Sequence, residues 1–268
     1  MGMEINNLKF SYTDKEFISN LSATIEKGKI TTILGPNGCG KSTLLNLLVN
    51  QLKPESGEIL LNGKSITKTP LKEVAKQIAM VHQQNTVPAD TTVERLISFG
   101  RMPHQTMFNS KDEEGKEVVE WALKETNLCN MANKRVGRLS GGERQRAWIA
   151  LALAQKTDIL FLDEPTTYLD IFYQLEILSL VKRLNKELGI TIVMVLHDIN
   201  QAIQFSDNLI IMKKGTICYM GEAKYGITKE RLREVYGIDA TINWSDENDC
   251  PYIIPLVRDD NKRKLKIS

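Results

Sequence analysis

Hydrophobic positions in the first quarter of the chain follow the two-residue period of β-strands. One segment within this quarter instead reads as a helix, because it contains no glycine or proline after its start. An Asn62-Gly63 pair between two short apolar runs predicts a hairpin. The predicted strands cover residues 4–10, 18–25, 30–34, 58–61 and 64–66, and the predicted helix covers residues 42–48.

Helical patterns dominate the middle of the chain, and buried strands return after it. Two continuous apolar runs, residues 159–162 and 190–196, are separated by a helical pattern over residues 171–188. Buried strands that alternate with helices are typical of a parallel α/β sheet. We therefore expect one α/β core interrupted by a helical insert at about residues 88–155. The other predicted elements are helices at 92–99, 111–128, 143–154 and 229–236, a hairpin at 209–220, and an apolar stretch at 252–257.

The composition is that of a globular protein that neither spans a membrane nor coats nucleic acid. Among 268 residues, 35 Lys and Arg against 33 Asp and Glu leave a net charge of +2, which is too small for a general grip on nucleic acid. The apolar runs are shorter than the ~18–20 residues of a membrane span. The opening residues do not resemble a secretory signal. Four scattered cysteines argue against a disulfide framework or a structural zinc site.

Residues 35–42 match the pattern GxxxxGK[ST] between a predicted strand and a predicted helix, and we call them the phosphate loop. Glycines allow backbone N–H groups to turn toward a phosphate, and the start of the helix adds its positive dipole. Lys41 is expected to reach the β- and γ-phosphates, and the Ser42 hydroxyl to bind Mg²⁺. A glycine turn that matches by chance is the less favoured alternative. The predicted nucleotide-binding residues here are Gly35, Pro36, Asn37, Gly38, Cys39, Gly40, Lys41, Ser42 and Thr43.

Two acidic residues, Asp163 and Glu164, end the apolar run that starts at residue 159. A buried aspartate is costly unless a positive group meets it, so Asp163 is the predicted second Mg²⁺ ligand. Glu164 is predicted to orient or deprotonate an attacking water. Alone, such a pair more often caps a helix or forms a surface turn, and only the phosphate loop favours catalysis. His197 follows the neighbouring strand and is predicted to contact the γ-phosphate, although such histidines are usually structural.

The segment Leu139-Ser140-Gly141-Gly142-Glu143 resembles the signature of the ATP-binding-cassette (ABC) ATPases. The other motifs follow in the order typical of that family, and the resemblance spans nearly the whole chain. It implies an α/β fold of the P-loop NTPase (RecA-like) type, with an N-terminal antiparallel β-subdomain and an inserted α-helical subdomain. The ATPase domain would then cover residues 3–240, and residues 241–268 would form a short C-terminal extension.

The resemblance also implies roles for single residues. Tyr12 resembles the aromatic residue that stacks on adenine, and Gln83 the glutamine that senses Mg²⁺ and the permease. Asp170 lies in a loop that is placed at the dimer interface in this family, and His197 resembles the switch histidine. The signature has a physical meaning of its own, because a hydroxyl, two glycines and a helix start form a second anion-binding site. By resemblance, the signature of one copy acts in trans on ATP held by the other.

Segments 87–93, 100–104, 232–239 and 253–255 are similar to the ATPase subunits of ferric-siderophore, haem and cobalamin importers. This similarity implies ATP as substrate, Mg²⁺ as cofactor, and a second copy and permease subunits as partners. A substrate-binding protein would be an indirect partner, and nucleic acid would not be a partner. The protein would be located at the cytoplasmic face of the cell membrane. Importers of manganese, zinc or molybdate are alternatives.

Two classes outside transport are also considered. A soluble cassette acting in DNA repair or on ribosomes would usually carry a long coiled-coil insert, tandem cassettes or a basic face. A regulatory module that binds ATP without hydrolysing it would lack the glutamate or the histidine, whereas both Glu164 and His197 are present.

Overall fold

The computed structural model describes residues 2–13, 16–88, 90–104 and 113–256. The expected helix start at residue 111 and the end of the apolar stretch at residue 257 lie outside these ranges, as do residues 257–268 of the expected extension. The strands are β1 (Met3–Ser11), β2 (Glu16–Ile25), β3 (Ile30–Leu34), β4 (Ser56–Leu61), β5 (Lys64–Ser65), β6 (Ile78–Val81), β7 (Ile159–Asp163), β8 (Thr191–Val195), β9 (Asn208–Lys213), β10 (Thr216–Glu222), β11 (Asp239–Ser245) and β12 (Cys250–Leu256). The helices are α1 (Lys41–Leu48), α2 (Leu71–Ala75), α3 (Val93–Ser98), α4 (Glu113–Glu125), α5 (Gly141–Ala154), α6 (Ile171–Leu188), α7 (Ile199–Phe205), α8 (Ala223–Gly226) and α9 (Lys229–Tyr236).

A central sheet with strand order β10-β9-β3-β8-β7-β6 carries the loops of interest. Its strands are parallel except β10, which pairs with β9 in antiparallel orientation. Ile33 of β3 pairs with Val195 of β8, which in turn pairs with Asp163 of β7. Because parallel strands end at the same edge, this row of residues brings the phosphate loop, the acid pair and His197 together.

Strands β3, β7 and β8 are buried at every position, as expected for a sheet covered on both faces. On one face, Phe161 packs in an apolar cluster with α1 and the antiparallel sheet β2-β1-β4-β5. On the other face, Leu160 and Leu162 join a cluster formed with helices α3 to α6. The α/β class, the N-terminal antiparallel sheet and the inserted helices predicted from the sequence are confirmed.

Most of the predicted elements form close to their expected limits, and the differences have local causes. Helix α5 begins at Gly141 rather than residue 143, because Ser140 caps it. The four-residue strand β6 and the seven-residue helix α7 were not predicted, since each is too short to establish a period. Strand β6 is set by parallel pairing with β7, which is a tertiary effect. In the described part of the chain, no helix is long and apolar enough to cross a membrane.

The C-terminal part of the described chain returns to the central sheet without joining it. Strands β11 and β12 form a separate antiparallel pair. Strand β12 packs on α7, and β11 packs on α9. This two-stranded unit, residues 239–256, is called the C-terminal hairpin below.

Candidate functional site

The phosphate loop connects β3 to α1 and is shaped by close backbone contacts. Gly35 has φ +151°, and a Cβ there would lie 2.4 Å from the Met212 carbonyl oxygen and 2.7 Å from Cys39 Sγ, so only glycine fits. The Lys41 side chain folds over the loop, where its Nζ donates to the carbonyl oxygens of Gly35 at 2.9 Å and Pro36 at 3.2 Å. The ammonium group is therefore held within the loop that is expected to receive phosphate.

Tyr12 lies beside this loop with an accessible ring. Its hydroxyl is 2.9 Å from Thr43 Oγ1 at the start of α1. Its ring meets those of Phe10 and Phe17 edge to face, with centroids 4.8 and 5.4 Å apart. The side chain remains 60% exposed, so the ring can accept a stacked base.

Cys39 contributes to the loop through its backbone alone. Its side chain is 3% exposed and packs in the apolar cluster under the loop, and burial raises the pKa of the thiol. A buried thiol with a raised pKa is poorly reactive. The nucleotide-facing groups at this position are therefore those of the main chain.

The two acidic residues after β7 differ in their surroundings. Asp163 is 9% exposed and accepts a hydrogen bond from the Ser42 hydroxyl at 3.3 Å. Burial, followed by the neighbouring charge of Glu164, raises the pKa of the Asp163 carboxyl, and the Ser42 hydrogen bond opposes this rise. Asp163 is thus a carboxylate that costs free energy to bury and that a cation would stabilise.

The Glu164 carboxylate is contacted on both oxygens. Gln83 Nε2 donates to Oε2 at 2.6 Å and Thr167 Oγ1 donates to the same oxygen at 3.1 Å. His197 Nε2 lies 2.6 Å from Oε1. Glu164 has φ +53°, a conformation that is uncommon outside glycine and concentrated at functional sites. Gln83 and His197, which are distant in sequence, and Thr167 from the same loop therefore fix the orientation of one carboxylate.

Part of the phosphate loop lines one cleft of ≈ 400 Å³ at the carboxyl edge of the sheet, together with Gln83, Glu164 and His197. Most of its lining was predicted from the sequence, whereas Phe17 in the cleft and Thr167 on Glu164 were missed. Phe17 had a weak signal, an aromatic ring directly before the predicted strand at residues 18–25, and Thr167 lay in a segment that suggested a plain turn. The lining residues are Phe17, Asn37, Gly38, Gly40, Lys41, Ser42, Thr43, Gln83, Glu164 and His197.

The signature lies at the start of α5 and outside that lining. Ser140 and Glu143 form a capping box, in which the Ser140 hydroxyl accepts from the Glu143 N–H at 3.3 Å and Glu143 Oε2 accepts from the Ser140 N–H at 2.8 Å. This backbone contact lowers the pKa of Glu143. Gly142 is tightly packed, because a Cβ there would come within 2.7 Å of the Tyr173 ring.

Asp170 is next to the signature in space. Its carboxylate caps α6 by accepting from the Tyr173 N–H at 3.1 Å, and the ring of Tyr173 packs on Gly142. Leu139 is buried, whereas Ser140, Gly141 and Asp170 are exposed. The signature and the Asp170 loop therefore form one continuous exposed surface that a second molecule can contact.

Magnesium is compatible with the donors at the mouth of the loop. The Ser42 hydroxyl and the Asp163 carboxylate are adjacent oxygen groups, and Mg²⁺ prefers oxygen ligands. Among the described residues, no group of three or more His, Cys, Asp or Glu side chains could hold a metal ion alone. Such a sparse donor set is typical of Mg²⁺ that is bound together with nucleotide phosphates.

A phosphate loop and acid pair on a parallel sheet, with a capped signature helix in a helical insert, define the ATP-binding cassette. Residues 18–167 match the family described as "ABC transporter". The chain belongs to this family and is one of its ATPases.

Relatives match over almost the full length. The chain is 44% identical over 263 residues to the iron(3+)-hydroxamate import ATP-binding protein FhuC of Bacillus subtilis, covering 98% of each. A solved metal-chelate type ABC transporter in an inward-facing conformation is 29% identical with a TM-score of 0.83, covering 96% of this chain and 98% of that one. The dimeric post-hydrolysis cassette MJ0796 bound to ADP and Pi is 31% identical with a TM-score of 0.70, covering 82% and 98%.

Replacing Asp163 by asparagine is expected to stabilise the nucleotide-free protein. A carboxyl whose pKa is raised by folding is charged at a cost near neutral pH, and the amide removes that charge while its oxygen can still accept from Ser42. The melting temperature of Asp163→Asn without nucleotide should rise by a few degrees above that of the wild type. An unchanged or lower melting temperature would show that the buried charge carries no such cost.

Proposed function

We propose that this chain is the ATP-hydrolysing subunit of an importer for an iron chelate, a ferric siderophore or haem, or for cobalamin. The observation that carries the ATPase assignment is the Glu164 carboxylate held by Gln83, Thr167 and His197 at the mouth of the phosphate loop. The cargo class is supported by the similarity to FhuC and to the metal-chelate type transporter.

Glu164 acts as the group that orients and deprotonates the attacking water. Its two oxygens are fixed by neighbours from three other positions, so a water hydrogen-bonded to it has a defined direction toward the γ-phosphate. The contact between His197 and Glu164 puts the imidazole in the same cleft, where it stabilises charge on the transferring phosphoryl group. Gln83 couples this cleft to the helical insert.

The phosphate loop binds and neutralises the nucleotide. Lys41 leaves its two carbonyl partners for the β- and γ-phosphate oxygens, which are stronger acceptors because they are charged. The backbone of residues 35–40 contacts the phosphates, and Tyr12 stacks on the adenine. Ser42, Asp163 and Gln83 hold Mg²⁺, which supplies further neutralisation of phosphate charge when it is bound.

A second copy completes the site. The signature lies outside the cleft lined by its own phosphate loop, so Ser140 and Gly142 act on ATP held by the partner copy, with the Asp170 loop between the two. Two-fold symmetry gives two equivalent composite sites. The dimeric solved cassette supports this arrangement.

The helical insert, at about residues 88–155, docks on permease subunits at the cytoplasmic face of the cell membrane. Cargo reaches the permease from a substrate-binding protein, so this subunit contacts that protein only indirectly. The domain division proposed here is an ATPase domain over residues 3–240 and a short extension over 241–268.

Replacing Glu164 by glutamine should separate binding from hydrolysis. The amide keeps the size of the side chain but cannot accept the water proton, so ATP binds while turnover falls to background. Because hydrolysis no longer separates the two copies, ATP should convert the purified variant to a stable dimer, measurable by light scattering. Lys41→Ala, in contrast, should weaken ATP binding in an equilibrium titration. Wild-type turnover of Glu164→Gln would contradict the assignment.

The same Glu164→Gln variant tests the cargo class in cells. When it replaces the wild-type chain, uptake of at least one radioactive cargo among ferric siderophores, haem and cobalamin should be lost, whereas uptake of radioactive manganese should continue. Loss of manganese, zinc or molybdate uptake with normal chelate uptake would overturn the cargo proposal and leave the ATPase assignment in place.

The action of the signature in trans can be tested in the Glu164→Gln background. Adding Ser140→Arg introduces a bulky charged side chain at an exposed position, which should prevent the ATP-dependent dimer while the monomer still binds ATP. Ser179→Arg, the same change at an exposed position of α6, is the matched control and should leave the dimer intact. Loss of ATP binding by the Ser140→Arg monomer would indicate that the signature acts on its own phosphate loop instead.

A further inference from the structure

The C-terminal hairpin lies outside residues 18–167 and has no part in the proposed reaction. One edge of β12 pairs with β11, and its residue Ile253 also faces α7. The Ile253 N–H donates to Asn200 Oδ1 at 2.8 Å, and Asn200 Nδ2 donates to the Ile253 carbonyl oxygen at 3.2 Å. A single amide side chain thus satisfies both backbone groups of one strand residue, as a neighbouring strand would.

Apolar packing supports the same contact. Ile253 and Cys250 of β12 are 6% and 7% exposed and belong to the apolar cluster that includes Ile199 and Ile203 of α7. One turn after Asn200, Gln204 Nε2 donates to Asn248 Oδ1 at 3.1 Å in the turn of the hairpin. The hairpin is therefore attached along the length of α7, and of these two hydrogen-bonded contacts that of Asn200 is the nearer to the start of the helix.

The position of His197 depends on the position of the first residues of α7. Asp198 caps the helix by accepting from the Gln201 N–H at 2.9 Å, and His197 precedes this cap directly. The His197 side chain is 45% exposed, so burial does little to hold its ring 2.6 Å from the Glu164 carboxylate. A shift of α7 relative to the central sheet would move the imidazole away from that carboxylate.

We propose that Asn200 is a positioning residue for ATP hydrolysis: by pairing with Ile253 it lets the C-terminal hairpin hold α7, and with it His197, against the Glu164 loop. This inference rests on the role proposed above for His197. Gln201 Nε2, which donates to Gln174 Oε1 at 2.7 Å, secures the same helix on its α6 side. The hairpin and α6 thus hold α7 from two directions, and removing either support loosens the histidine without touching the phosphate loop.

The test is steady-state ATPase kinetics of the full-length chain carrying Asn200→Ala. Because misplacing a catalytic group by a fraction of its contact distance slows chemistry strongly, kcat should fall about ten-fold while KM for ATP stays within about two-fold. Gln204→Ala, which removes a hairpin contact one turn further from His197, is the matched control and should keep the wild-type kcat. Asn200→Asp keeps the acceptor for the Ile253 N–H but places a carboxylate oxygen against the Ile253 carbonyl oxygen, so it should also lower kcat.

A double-mutant comparison separates positioning from general damage. If Asn200 acts through His197, adding Asn200→Ala to His197→Ala should lower kcat no further. The role of Asn200 would be overturned if the double variant lost kcat by the product of the two single losses. It would also be overturned if Asn200→Ala kept the wild-type kcat while His197→Ala was inactive. Neither result would affect the proposed role of His197. A wild-type kcat for His197→Ala would instead overturn the proposed role of the histidine. If Asn200→Ala does not fold, Asn200→Asp supplies the same comparison.

Discussion

The arrangement of the site depends on two adjacent carboxylates at the end of a buried strand, because the surrounding loops must supply groups that stabilise them. Asp163 is buried, and the charge of Glu164 directly after it adds to the cost of keeping the Asp163 carboxylate ionised. The protein offsets this cost with hydrogen bonds donated by Ser42, Gln83 and Thr167 and, in the proposed complex, with Mg²⁺ and Lys41. The groups that stabilise the two carboxylates also distinguish them. Asp163 is directed to the Ser42 hydroxyl, and Glu164 is directed to the cleft.

Parallel pairing of β3, β8 and β7 is what makes this arrangement possible. The three strands end in one row, so the phosphate loop, the acid pair and His197 meet without long connections. The signature, in contrast, is fixed on the helical insert by its own capping box and faces outward with Asp170. The chain therefore carries two half-sites, which are completed in the proposed dimer.

Motifs of neighbouring residues and the topology of the sheet could be predicted from the sequence. Individual contacts between side chains and distant or strained backbone could not. The phosphate loop and the strand-terminal acids follow from a motif and an apolar run, and their meeting follows from parallel topology. The Thr167 contact with Glu164 depends on a left-handed backbone at Glu164, for which a non-glycine residue gives no signal. The Asn200–Ile253 pair joins residues that are 53 positions apart. Its polar partner is a backbone group, so neither side-chain type suggests the contact.

In the proposed reaction Asp163 binds the metal ion, and Glu164 orients the attacking water. The most direct test titrates Mn²⁺, in place of Mg²⁺, into protein with a non-hydrolysable ATP analogue and follows free Mn²⁺ by electron paramagnetic resonance. We expect Asp163→Asn to weaken Mn²⁺ binding strongly and Glu164→Gln to leave it close to that of the wild type. Equal weakening by both variants, or weakening by Glu164→Gln alone, would contradict the division of roles between the two carboxylates.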